Sequence, residues 1–145
     1  MIRWRVIATF LLAAVASASP AAPLPGVKNE GQTRQDWIMN CQGCHRSEGS
    51  GSGSGVPGLA SNVSRFLHLQ HGRAFLGRVP GVAFAPLSDQ RVADLLNWVV
   101  QTYDPANMPR TFKPYTAAEV QALRKQPLIT DSMTVRAQIM DEIEK

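Results

Sequence analysis

The five residues Cys41-Gln42-Gly43-Cys44-His45 constrain this chain more than any other stretch. On a helical turn Cys41, Cys44 and His45 stand at i, i+3 and i+4, so two thiols and an imidazole face the same side. The chain has two cysteines in all, and both are in this motif. Any fold built on this segment has to present that face to whatever the three side chains hold.

Two thiols at this spacing can bond the two vinyl groups at one porphyrin edge, while the imidazole rises beneath the ring to coordinate iron. The spacing is the pattern of c-type haem attachment, with one haem c covalently bound through Cys41 and Cys44 and His45 as an iron ligand. Three other chemistries use a C-x-x-C pair. A dithiol redox centre expects a βαβ context, and no alternating or β-branched run borders the motif. A disulfide is disfavoured between cysteines so close on one turn. Zinc could recruit His68 and His71 downstream, but their x2 spacing is shorter than that of paired finger histidines, and His45 would be left unexplained.

The first residues read as an address. Arg3 and Arg5 form a short positive region, Val6 to Ala16 is an apolar run, and Ala16-Ser17-Ala18 is a small-residue cleavage site. That run is shorter than the roughly 20 residues a bilayer requires. Export to the periplasm with cleavage near Ala18 is expected, and no stable membrane insertion afterwards. Removing 18 of the 145 residues leaves 127, one domain by length, and the formal charge falls from +4 to +2 as Arg3 and Arg5 leave. Arg65, Arg73, Arg78 and Arg91 are dispersed, with no basic run interleaved with aromatics, so no nucleic-acid partner is expected.

The expected organisation is a signal peptide over 1–18, a flexible Pro/Ala-rich leader over 19–28, a haem-binding domain over 29–127 and a C-terminal helical extension over 128–145. A helix beginning between Glu30 and Thr33 carries Trp37, Ile38 and Cys41 on one stripe into the motif. Ser47 to Gly55 is too rich in glycine and serine for a regular element and reads as a loop passing close to the porphyrin. Asn62 to Gln70 and Arg73 to Gly77 read as two helical pieces broken at Gly72, and Pro80 and Pro86 bracket another loop. Behind Ser88 as N-cap, Val92, Leu95, Leu96, Val99, Val100 and Tyr103 recur at helical spacing. Thr116-Ala117-Ala118-Glu119 is a capping box opening another helix, and a last one is expected from about Asp131 to Ile143, with Met133, Ile139, Met140 and Ile143 available for packing. No strand is expected, so the fold class is all-α.

Taken in order, an N-terminal helix, the motif at its end, a Gly-rich loop, the run Val56-Pro57-Gly58-Leu59 and a Met-Pro before a helix resemble the class I monohaem cytochromes c. The resemblance covers roughly Gly31 to Lys125. The four-helix-bundle cytochromes c resemble this chain poorly, because their attachment motif lies near the C-terminus. The resemblance implies a class I helical domain wrapped around its haem, and a carbonyl of Pro57 that accepts the Nδ1 proton of His45.

Met108 is the expected sixth ligand. It stands between Pro105 and Pro109 on a stiff segment, and the residue before a proline is held extended; the family places its methionine similarly. The other loop that precedes a long helix, Val79 to Leu87, contains no methionine. His71, His68, another methionine and an open position are the alternatives; Met39 reads as core, and Met133 and Met140 suit helix packing. Phe66, Phe75, Trp98 and Tyr103 are expected to pack on the porphyrin, and Arg73 or Arg78 to be the candidates for pairing with a propionate.

With both axial positions filled by protein, iron has no site for substrate, and one-electron transfer remains. The expectation is a periplasmic electron carrier and not an enzyme. It would meet redox partners, such as a dehydrogenase or an oxidase, at the exposed haem edge near Cys41 and Cys44. Two alternatives stand beside it: a haem-binding subunit of a larger oxidoreductase, and a ligand-binding or peroxidase-like protein if the sixth position is open.

Overall fold

Helices and turns account for all regular structure in a computed structural model that describes residues 22–52 and 55–145. Ser52 and Val56 form an isolated antiparallel bridge. The expected export segment, 1–18, lies outside the described residues. No helix among the described residues is long and apolar enough to cross a membrane.

Helix α1, Glu30–Asn40, opens behind Asn29, whose side chain accepts a hydrogen bond from the Gln32 amide at 3.0 Å. Glu30 in the first turn suits the positive end of the helix dipole. Thr33, Asp36 and Trp37, at i, i+3 and i+4, form its buried face. Ile38, expected on that stripe, is exposed, because it lies about 100° round the helix from Trp37. At Cys41 the backbone leaves helical geometry, and the chain restarts as α2, Gln42–His45. The amides of Cys44 and His45 both donate to the Cys41 carbonyl, at 3.2 and 3.0 Å, so the three motif residues still share one turn.

The glycine-rich loop that follows is folded back on itself. The Leu59 and Ala60 amides both donate to the Gly49 carbonyl, and Gly49, at φ +73°, lies where a Cβ would meet the Tyr103 ring at 2.7 Å. A 3-10 turn over Val63–His68 leads into α3, Gln70–Arg78. The break falls at Leu69, not at the expected Gly72. Gly72 sits inside α3, where an added Cβ would stand 2.4 Å from the Phe66 carbonyl oxygen, so its role is to let α3 pass close to the preceding turn. Between Pro80 and Pro86 the expected loop contains a helical turn, α4, Pro80–Ala83.

Helix α5, Asp89–Tyr103, is capped by Ser88, which accepts from the Arg91 amide at 3.4 Å. It is the most buried helix of the described residues: Val92, Ala93 and Val100 have no exposure, and α1 and α6 both pack against it. Each fully buried valine contributes roughly 1.5–3 kcal/mol relative to an exposed one. After a 3-10 turn at Pro105–Asn107, α6 spans Ala117–Arg124 behind Thr116, whose hydroxyl accepts from the Glu119 amide at 3.2 Å. The reciprocal half of the expected capping box is replaced by an ion pair, because both Glu119 carboxylate oxygens accept from Arg73.

Two segments are more integrated than expected. Residues 22–28, the described part of the expected flexible leader, are tied to α5: Asn97 and Gln101 donate to the carbonyls of Gly26 and Pro25, and the Lys28 amide donates to Asp94. Leu24 and Val27 pack on the core. At the other end α7, Ser132–Ile143, lies against the 63–68 turn and α3. It buries Ile139 and pairs Glu142 with His71 at 3.0 Å and Glu144 with Arg65 at 3.8 Å.

Candidate functional site

A cavity of about 390 Å³ opens in front of the Cys41–His45 turn. Helices α1 and α2 contribute Trp37, Cys41, Cys44 and His45 to its wall, and the loop contributes Val56, Pro57 and Leu59. Phe66, Phe75 and Leu76 form another side, and α5 presents Val92, Leu95, Leu96 and Val99. Val79, Pro80, Gly81, Val82 and Ala85 close the wall between α3 and α5, and the first turn of α7 reaches the rim with Ser132, Met133 and Arg136. Volume and apolar lining are those of a site for a small molecule or cofactor, which usually occupies about 300–1,000 Å³.

His45 is oriented by the loop. Its Nδ1 lies 3.2 Å from the Pro57 carbonyl oxygen. A carbonyl can only accept, so this contact places the proton on Nδ1 and leaves the Nε2 lone pair available to a metal. Burial lowers the His45 pKa and so favours the neutral, ligating form, while the Pro57 bond acts in the opposite direction. The structure thus brings Pro57 to His45 and sets both beside the two thiols.

The electrostatics at the motif do not favour a redox nucleophile at Cys41. Both are free; Cys41 is half-buried and Cys44 exposed. Burial pushes the Cys41 thiol up to about 11, with Asp36 and Cys44 adding to the effect. A dithiol redox centre depends on the opposite shift, toward thiolate. Zinc fares no better, because no group of three or more metal-binding side chains converges among the described residues. Nε2 of His68 makes its contact with the Asn107 carbonyl oxygen at 2.9 Å, and His71 pairs with Glu142. Neither histidine lines the cavity.

Met108 is not in the cavity wall either. It follows the 105–107 turn and packs, partly buried, against the core. The reason is the length of α5: the cavity takes residues from its first three turns, while Met108 lies beyond its far end, on a helix that runs about 22 Å. The prolines stiffen the segment without aiming it at the cavity.

Several neighbours also differ from expectation. Phe66 and Phe75 line the cavity, stacked with centroids 5.3 Å apart, but Trp98 and Tyr103 do not. They pack instead on Trp37, at 5.9 and 4.9 Å between centroids, joining α1 to α5. Trp37 in turn lies 6.1 Å from the His45 ring. Arg73 is held by Glu119 and the Lys113 carbonyl, and Arg78 donates to the Gln126 carbonyl, so both guanidinium groups are engaged away from the cavity. Arg136, unnoticed in the sequence, is the arginine at the rim. Met39, expected in the core, is 71% exposed, and Met133, expected to pack, is 53% exposed at the cavity rim. Met133 and Arg136 stand at i and i+3, continuing toward Ile139, Met140 and Ile143. That stripe was visible in the sequence, but not what its first turn overhangs.

The chain is 33% identical over 106 residues to cytochrome c-552 of Thermus thermophilus, a match covering 61% of this chain and 81% of that protein. A second cytochrome c-552, from a named strain of Thermus thermophilus, matches at the same 33% identity over 106 residues, 61% of this chain and 72% of its own length. No protein-family model matches the chain, and no solved structure matches it significantly.

Proposed function

The chain belongs to the c-type cytochrome family, and from that premise we propose that it is an exported class I monohaem cytochrome that carries single electrons between periplasmic partners. Cys41 and Cys44 hold one haem by thioether bonds, and His45 coordinates its iron. Iron so held supplies reversible one-electron chemistry. Pro57 keeps the His45 ring in one orientation and one tautomer, and Phe66, Phe75 and the aliphatic residues of α5, which line the cavity, would exclude water from a haem bound there.

The observation that carries this reading is the His45–Pro57 contact beside the two thiols at the wall of an apolar cavity. The exposed side of Cys44, with exposed Ile38 and Met39 nearby in the chain, offers partners an edge of the kind that small, transient redox encounters use. Export rests on the sequence of residues 1–18, with cleavage near Ala18.

The test is maturation in a host that attaches haem outside the cytoplasm. The purified protein should begin near residue 19, take up one electron per chain in a reductive titration, and show no turnover with peroxide. Multiple-electron uptake, or peroxide turnover at enzyme rates, would contradict the assignment.

A further inference from the structure

We propose that Met133, in the first turn of α7, is the sixth ligand to the iron. This rests on the reading that a haem occupies the cavity with His45 as one axial ligand. Among the described residues of the cavity wall, the side chains with a sulfur or imidazole donor are Cys41, Cys44, His45 and Met133. Attachment uses the two thiols, and His45 is the first axial ligand. One donor remains, and it is a thioether, the soft ligand that favours ferrous iron.

The rest of the wall has no such donor to offer. Between α3 and α5 the residues facing the cavity are Val79, Pro80, Gly81, Val82 and Ala85, and none carries a ligating side chain. Met108, His68 and His71 lie elsewhere, each with packing or a polar contact of its own.

Met133 is not among the hydrophobic side chains packed against the core. It is 53% exposed, whereas Ile139 on the same helix is 3% exposed and does the packing. Its helix is nonetheless held: Ile139 is in the core, Met140 and Ile143 pack against it, and the exposed Glu142–His71 and Glu144–Arg65 pairs add modestly to the docking of α7 on the 63–68 turn and α3. The first turn is therefore carried to the rim by anchors located two turns later. Three rotatable bonds then give the methionine sulfur reach and adaptability.

The test compares the haem-loaded protein with Met133→Ala, Met133→Leu and Met108→Ala. Ferric wild-type protein should show the weak sulfur-to-iron charge-transfer band in the near infrared. Both Met133 variants should lose it while keeping covalent haem and helical content, and their ferrous forms should gain carbon monoxide binding; Leu keeps the bulk of the side chain, so its loss isolates the sulfur. Met108→Ala should keep the band. Persistence of the band in the Met133 variants, its loss in Met108→Ala, or its absence from wild-type protein that carries covalent haem would overturn the proposal. A chain without covalent haem would sink the underlying reading as well, and denaturing-gel haem staining separates the two failures.

Discussion

The side chain of Asn97 and the backbone of Tyr115 are joined by two reciprocal hydrogen bonds: the Tyr115 amide donates to Oδ1 at 2.7 Å, and Nδ2 donates to the Tyr115 carbonyl at 3.1 Å. Nδ2 also donates to the Gly26 carbonyl at 2.9 Å, so one fully buried amide links the N-terminal segment, α5 and the approach to α6. Asn97→Ala strands several polar groups, two of them buried with Tyr115, and each unsatisfied group costs about 1–3 kcal/mol. A loss of about 3 kcal/mol or more is expected in urea unfolding of the haem-loaded protein. Haem attachment should be unaffected, because Asn97 does not line the cavity.

Gly72→Ala should destabilise the protein although alanine is the better helix former. The new Cβ would stand 2.4 Å from the Phe66 carbonyl, so α3 must move away from the turn that carries Phe66 into the cavity wall. Overpacking of this kind costs about 1–3 kcal/mol, against a propensity gain of about 1. Thermal denaturation should show a lower midpoint; an unchanged or raised one would mean that α3 is free to shift.

These two residues also mark what was legible in the sequence. Caps at Ser88 and Thr116, the periodicity of α5 and the thiol–imidazole spacing are local signals, and local signals specify helices and a motif. Gly72 read as a break because glycine usually is one, whereas here the close neighbour is a carbonyl brought in by tertiary packing. Residues 22–28 read as flexible because their partners, Asn97 and Gln101, lie more than 70 positions away. Met108 looked rigidly presented, but flanking prolines fix a backbone and not a direction. Met133 read as a packing residue for the same reason: that its turn overhangs the cavity depends on where α7 docks.

Arg124 governs the wall between α3 and α5. Its guanidinium donates to the carbonyls of Ala83, Ala85 and Leu87 at 3.0, 2.6 and 2.9 Å, and to Asp89 at 2.8 Å. Arg124→Met keeps the apolar stem and removes every donor. Amide hydrogen exchange over residues 83–89 should accelerate, with a stability loss of about 1–3 kcal/mol. Unchanged exchange there would show that the segment holds itself.

Loss of haem should nearly unfold the chain. An unfilled apolar cavity costs about 24 cal/mol per Å³, so 390 Å³ corresponds to at most about 9 kcal/mol, within the whole stability of a typical domain. Water entering at the rim reduces that figure. Cys41→Ala/Cys44→Ala protein produced without haem should show much reduced helical circular dichroism and a broad, weakly cooperative melt. A sharp melt close to that of the haem-loaded protein would mean that the cavity closes on its own.

The attachment itself is tested most directly by the intact mass of exported, matured protein after acid-acetone extraction. The mass should exceed that of the cleaved polypeptide by one haem, and tryptic mapping should place the adduct on the peptide containing Cys41 and Cys44. Recovery of the bare polypeptide, with all colour in the organic phase, would contradict the account.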